Sequence, residues 1–341
     1  MANETHYGVI SDVHQDPRIV PVTIEVLKRL GAEKLLINGD IGERQRSLQA
    51  SQDYVAVILD AVGKSGLEAY VQPGSHETVG AFQPVLEYFE GKYPNLIDTF
   101  KTPKVENGDH HLVFLPGSDF VCGGEYQIGS NEEIPSGLYI PTAQGITPYD
   151  PKVHQELMAQ GQFRGLLQYV NMHDLKRQVN DGGKTIVVCH VPRKFDSVDG
   201  AVDVAYFAEQ TDGSVIPGVA VEGMIRKQYG NVSDDELRLI AASNGLTLKE
   251  ENRGNGDLRN LYAELGVTKA VSGHFHESGH RAHDSNVNPI EQGTLVDELY
   301  WNSGQLDLGQ TGILTVSDGR VSYRNFALKI ICDKNPCPFY M

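Results

Sequence analysis

Residues 6–14 read HYGVISDVH: a short apolar run, then an acid, a spacer and a histidine. Apolar residues at strand length, closed by polar Ser11 and Asp12, predict a strand that hands over to a loop. The same grammar recurs down the chain. KLLINGD (34–40) ends on Asp40, EAYVQPGSHE (68–77) carries Ser75 and His76, KTIVVCH (184–190) ends on His190, and KAVSGHFH (269–276) carries His274 and His276. Helical patterns lie between these runs, from about Ile19 to Leu30 with Gly31 as terminator, at about 47–64, and near 80–91, 165–180 and 257–265. Alternating strands and helices predict an α/β fold with a mainly parallel sheet covered on both faces.

Another strand is expected at HLVFLP (111–116), and after residue 290 the pattern changes to TLV (294–296), GILTVS (312–317) and VSYRNFAL (321–328). Asp318-Gly319 between the last two is a type I′ hairpin signal. Two long, Gly-rich and Pro-bearing intervals, about 118–163 and about 194–255, break the plan. In the second, Ser233 and Glu236 form a capping box for a helix that Gly245 stops. Intervals of this length in a compact domain are usually lids or small subdomains. One domain, 1–341, is therefore expected, with the two insertions forming a cap.

Apolar content of 40% and charged content of 22% suit a soluble globular chain. The formal charge of −16 opposes non-specific attraction to the phosphate backbone of long nucleic acid without excluding a small nucleotide. The start, MANETHYGVISD, lacks a basic-then-apolar leader, and no run is long enough to span a membrane, so a cytoplasmic location without membrane contact is expected. Cys122, Cys189, Cys332 and Cys337 are too few for a disulfide framework. Cys189 reads as a small core residue, and Cys332 and Cys337 read as two free thiols on a tail, with a disulfide closing a terminal hairpin or metal binding as the alternatives.

In an open α/β sheet the loops at the carboxyl ends of the strands converge. Asp12, His14, Asp40, His76, His190, His274 and His276 are expected to meet there. A lone Asp or His after a strand is usually a turn residue or a cap; five successive strand ends bearing such donors are another matter. Carboxylate oxygen with imidazole nitrogen suits Mn, Fe, Zn, Ni or Co better than Mg or Ca.

The order Asp12-Val13-His14, Gly39-Asp40, Gly74-Ser75-His76-Glu77, His190 and Gly273-His274-Phe275-His276 resembles the calcineurin-like metallophosphoesterases, from residue 6 to about 328. The resemblance implies a four-layer α/β/β/α sandwich and two divalent metal ions, with manganese favoured. It gives Asp12, His14 and His276 to the first metal, His190 and His274 to the second, and Asp40 to both. His76 becomes the general acid. Ser75 stands at a second-metal position where the family has an Asn carbonyl, and Asn302-Ser303-Gly304 looks like the family's NPGS-type turn without its proline.

Two bridged cations can acidify a shared water to hydroxide and clamp phosphoryl oxygens, so hydrolysis of a phosphodiester or phosphomonoester is expected, with a small nucleotide or metabolite as substrate. GDxHG, GDxVDRG and RGNHE motifs are missing, which argues against a protein phosphatase. Alternatives are a nuclease on DNA or RNA ends and a non-catalytic scaffold with a degenerate metal site. Arg44 and Arg193 fall where a guanidinium could reach a phosphate. His110, His111, His154 and His173 read as surface or packing residues, and His280 and His283 as parts of a solvated loop.

Overall fold

A computed structural model describes residues 4–329; Cys332 and Cys337 lie outside them. Two six-stranded sheets dominate. In the first, Glu4–Ile10, Lys34–Asn38, Glu68–Gln72 and Leu96–Asp98 run parallel side by side, and Gln310–Ser317 and Arg320–Ala327 add antiparallel on the other side of Glu4–Ile10. In the second, His110–Leu115, Thr185–Cys189, Lys269–Ser272 and Leu299–Asn302 are parallel, with Lys104–Asn107 and Ala282–His283 antiparallel at the edges.

Strand alternation explains why two sheets stack. Tyr7, Val9, Leu36 and Tyr70 point from the first sheet into one buried layer with Phe114, Ile186, Val188, Val271 and Trp301 from the second. The opposite faces carry Ile10, Leu35, Ile37 and Val71, which pack on the helices Ile19–Arg29, Leu48–Lys64 and Val79–Lys92, and Val113, Val187 and Cys189, which pack on Gly256–Leu265. Each such fully buried aliphatic side chain contributes about 1.5–3 kcal/mol. The layers are α/β/β/α, as expected.

Local signals hold where chemistry dictates geometry. Ser47 accepts from Ala50 N at the start of Leu48–Lys64. The Ser233–Glu236 capping box opens Asp234–Ser243, and Asp318 and Gly319 both take positive φ between the last two strands.

Four expectations need correction. The mainly parallel sheet read from alternation is two mixed sheets, the pair that the four-layer resemblance implies, because alternation along the chain cannot say which strands share a sheet. The stretch expected as a helix near 165–180 is the strand Leu167–Asn171, a 3-10 turn and the short helix Leu175–Gln178; pairing with Tyr126–Gly129 and Gly137–Thr142 overrides helical periodicity. TLV supplies only an isolated bridge, Val296 to Val321. His283 is buried rather than solvated: Nε2 accepts from Val202 N at 3.0 Å, and Nδ1 donates to the Asp284 carbonyl at 2.7 Å.

The insertions form small units of their own. The first builds a four-stranded sheet that borrows Leu167–Asn171, so it extends past residue 163. The second builds a three-stranded sheet, Val204–Gln210, Val215–Pro217 and Leu246–Asn252, on the helices Gly218–Tyr229 and Asp234–Ser243, with a separate core around Val221, Leu237 and Leu248. The first grips the His76 loop, since Cys122 N and Gly124 N donate to the Ser75 carbonyl and Glu125 N to that of Glu77. The second is tied to the His276 turn through Ser278 Oγ, which donates to the Val204 carbonyl at 2.7 Å. No described helix is long and apolar enough to cross a membrane.

Candidate metal centre

Adjacent parallel strands in each sheet bring the expected donors to one rim. Asp12, Asp40 and the Ser75-His76 loop follow three neighbouring strands of the first sheet, and His190 and His274 follow two neighbours of the second. Backbone bonds lock the loops together, with Asp12 N donating to the Gly39 carbonyl at 3.2 Å, Val13 N to that of Asp40 at 2.7 Å, and Gly273 N to that of His190 at 3.0 Å. The approach is close enough to need glycine: a Cβ at Gly39 would stand 2.7 Å from His190 Nδ1, and one at Gly74 would stand 2.7 Å from His190 Cδ2. Asp12, Asp40 and His274 take φ of 57°, 51° and 68°. Left-handed backbone costs a non-glycine residue roughly 1–2 kcal/mol, and such strain concentrates at functional sites.

Three groups of donor atoms lie within 4.8 Å of one another: Asp12, His14 and His276; Asp40, His190 and His274; and His14, Asp40 and His76. All seven expected donors are therefore in one place. Asp40 occupies the middle. Its Oδ2 lies 3.1 Å from His190 Nε2, 3.9 Å from His14 Nε2 and 4.0 Å from His76 Nε2, while its Oδ1 accepts from Ser75 N at 2.5 Å and His76 N at 3.0 Å. The Ser75 hydroxyl is also at the site, bonded to Asp40 at 2.9 and 3.2 Å.

The donor chemistry fits divalent cations. His190 is fully buried; Nδ1 bonds to the Asn38 carbonyl at 2.8 Å, and Nε2 has no hydrogen-bond partner. His14 and His276 bring their Nε2 atoms to 3.3 Å, and His276 Nε2 lies 3.1 Å from Asp12 Oδ1. Facing imidazole nitrogens and carboxylate oxygens need a proton or a cation between them. Protons answer that need in the protein groups alone. Burial opposes charge on His190, yet Asp40 and Asp12 carry its pKa up to about 10. Burial and the His190 charge press His274 down to about 3. Burial would raise Asp12, but His190 and His276 bring it to about 2, and Asp40 is held well below the carboxylate range in the same way.

The surrounding groups include residues that sequence reasoning passes over. Glu43 Oε2 sits 3.2 Å from His14 Nδ1 and 3.0 Å from His76 Nδ1, so one carboxylate orients two rings. Its signal was an acid three residues beyond Asp40 in the same loop. Burial tends to lower the His76 pKa, but Cys122, Glu43 and Asp40 lift it to about 11. Glu77, buried, accepts from Ile41 N, Gly42 N and Gly74 N at 2.6, 3.0 and 2.8 Å, and so binds the Asp40 loop to the His76 loop. Burial and the Asp40 charge push its pKa to about 8, whereas three donors and no acceptor describe the carboxylate form, which the geometry favours. Asp307 holds the His14 loop through His14 N at 2.6 Å. Asn302 Nδ2 donates to the Gly273 and Phe275 carbonyls at 3.0 Å each and steadies the GHFH turn.

The two arginines differ in their surroundings. The Arg193 guanidinium lies 4.1 and 4.2 Å from the Phe195 and Tyr300 ring centroids. Arg44 is exposed and within electrostatic reach of Glu125, in the first insertion. His280 Nε2 donates to the Thr311 carbonyl at 3.1 Å and belongs to none of the three donor groups.

The family described as calcineurin-like phosphoesterase matches residues 5–278. None of the curated proteins compared with the chain matches it. Among solved structures, the chain is similar to TT1561 of Thermus thermophilus (9% identity, TM-score 0.48, covering 95% of this chain and 99% of that one). It is also similar to a dimetal phosphatase from Danio rerio (12% identity, TM-score 0.41, covering 95% and 98%).

Proposed function

Because the chain belongs to the calcineurin-like phosphoesterase family, we propose that the Asp/His cluster at its strand ends is a dinuclear centre that hydrolyses a phosphoester. Asp12, His14 and His276 would hold one cation and His190 and His274 the other, with Asp40 serving both. The observation that carries this reading is the position of Asp40 Oδ2, 3.1 Å from His190 Nε2 in its own donor group and 3.9 Å from His14 Nε2 in the group of Asp12 and His276. Mixed nitrogen and oxygen donors favour manganese or a neighbouring transition metal over magnesium. When bound, such cations acidify water and neutralise phosphoryl charge.

The chain's own groups supply the rest. Glu43 holds His76 Nδ1, leaving the His76 Nε2 proton for the departing alkoxide. Asp40, Ser75 N and His76 N fix that loop against the centre. The Ser75 hydroxyl spends its proton on Asp40 and keeps a lone pair for the second cation, a weaker donor than an amide carbonyl. Exposed Arg44 is a candidate phosphate contact, whereas Arg193 is held between two rings. The insertions, gripping the His76 loop and the His276 turn, would form the walls of a cap. The formal charge of −16 favours a small nucleotide or metabolite ester over long nucleic acid.

Metal analysis of the purified protein, paired with hydrolysis of aryl phosphate mono- and diesters, tests the reading. Two equivalents of a transition metal and metal-dependent turnover are expected. A protein that refuses manganese and its neighbours, or binds them without turnover, would overturn it. Ser75→Asn should tighten the second equivalent, and equal occupancy of both variants in a metal titration would reject that role for Ser75.

A further inference from the structure

We propose that the side chains of Asn38 and Gln72 are positioning groups that clasp the two sheets together beneath the candidate metal centre and fix His190 against Asp40. The proposal rests on the dinuclear reading above and concerns the second cation of that pair. Asn38 and Gln72 close the neighbouring strands Lys34–Asn38 and Glu68–Gln72, where they stand opposite each other in register. Both are buried. Leu36 and Tyr70, two residues earlier, point into the layer between the sheets, so strand alternation sends the two amides the same way.

Three consecutive residues of the facing sheet meet them there. Gln72 Nε2 donates to the Val188 carbonyl at 3.3 Å, Asn38 Nδ2 donates to that of Cys189 at 3.4 Å, and the Asn38 carbonyl accepts from His190 Nδ1 at 2.8 Å. Gln72 Nε2 also donates to Asn38 Oδ1 at 2.6 Å, which joins the amides to each other. The strand end that delivers His190 is thus held by the two strands whose loops deliver Asp40, Ser75 and His76. Asp12, His14 and Asp40 come from the first sheet, whereas His190, His274 and His276 come from the second. Each proposed cation draws donors from both, so the gap between the sheets sets donor spacing, which a metal site must hold to within about 0.2 Å. Packing alone gives no reason for amides at this depth. Leu36, Ile186 and Val188 fill the same layer with aliphatic groups. Gln72 Oε1 has no hydrogen-bond partner, and a buried acceptor left open costs stability.

Calorimetric titration of the metal-free full chain with Mn2+ at one pH tests the clasp, beside denaturant unfolding of the same preparations. Asn38→Leu combined with Gln72→Met replaces both partners by apolar groups of similar shape, so stability should stay near that of the unaltered chain. The second equivalent of metal should bind about tenfold more weakly, with the first unchanged. Gln72→Met alone should shift the second equivalent in the same direction. Leu36→Ala, in the same layer, should do the reverse: lower stability and leave both equivalents as they were. A second equivalent that binds either amide variant as tightly as the unaltered chain, or that weakens as much in Leu36→Ala, would overturn the clasp and leave the dinuclear centre standing. Should the double variant fail to fold, Gln72→Met decides alone. An unaltered chain that takes up fewer than two equivalents would instead overturn the dinuclear reading, and the clasp with it.

Discussion

Two histidines on neighbouring strands of one sheet, His110 and His190, are both fully buried and have opposite fates. His110 opens His110–Leu115; His190 sits just past the far end of its parallel partner, Thr185–Cys189. At the His110 end, Nε2 bonds to Tyr7 OH at 2.7 Å and Nδ1 to Asp109 at 2.8 Å, and burial lowers the ring's pKa. At the His190 end, Nε2 has no hydrogen bond, and two carboxylates lift the pKa to about 10. A buried ring with both nitrogens answered belongs to the fold, while one left open beside carboxylates is a candidate ligand-binding group.

Substitutions break the contrast in descending order. Asp40→Asn should lower hydrolysis about a thousandfold, since several kcal/mol of Lewis-acid stabilisation depend on that carboxylate, and metal analysis should find the second equivalent lost. His76→Asn should cost about a hundredfold with metal content retained, checked by turnover and elemental analysis in parallel. Glu43→Gln should cost about tenfold, because it loosens His14 and His76 together. Tyr7→Phe, at the other end, should leave turnover alone and lower stability by about 1 kcal/mol, read from denaturant unfolding, because His110 loses a partner.

Acidity separates the two ends further. Metal uptake must displace the proton that His190 holds up to about pH 10. Affinity should therefore rise about tenfold per pH unit for each proton displaced below that value, measured by calorimetry in buffers of different ionisation enthalpy. At His110 the pKa is displaced in the opposite direction. Its folded pKa is depressed, so the unfolded chain binds its proton first, and the stability tied to this ring is lost as pH falls below about 6.5.

The legible part of the molecule follows from this contrast. Strand ends bearing Asp12, Asp40, His190 and His274 could be read because donor type and strand termination are local facts, and adjacent parallel strands then bring them together. Sheet membership was hidden, since the choice between the two sheets depends on which side chains meet across the layer around Trp301. Glu43 and Glu77 escaped for a related reason: their roles exist only once two loops touch. The strand Leu167–Asn171 was mistaken for a helix because its partners lie some 30 to 40 residues upstream.

Asp12, Asp40 and His274, three of the six described non-glycine residues with left-handed backbone, stand together on this rim. Glycine would relax each of these positions and would fit their geometry. Side chains at these positions cost stability, and what they add is donor atoms that glycine could not offer.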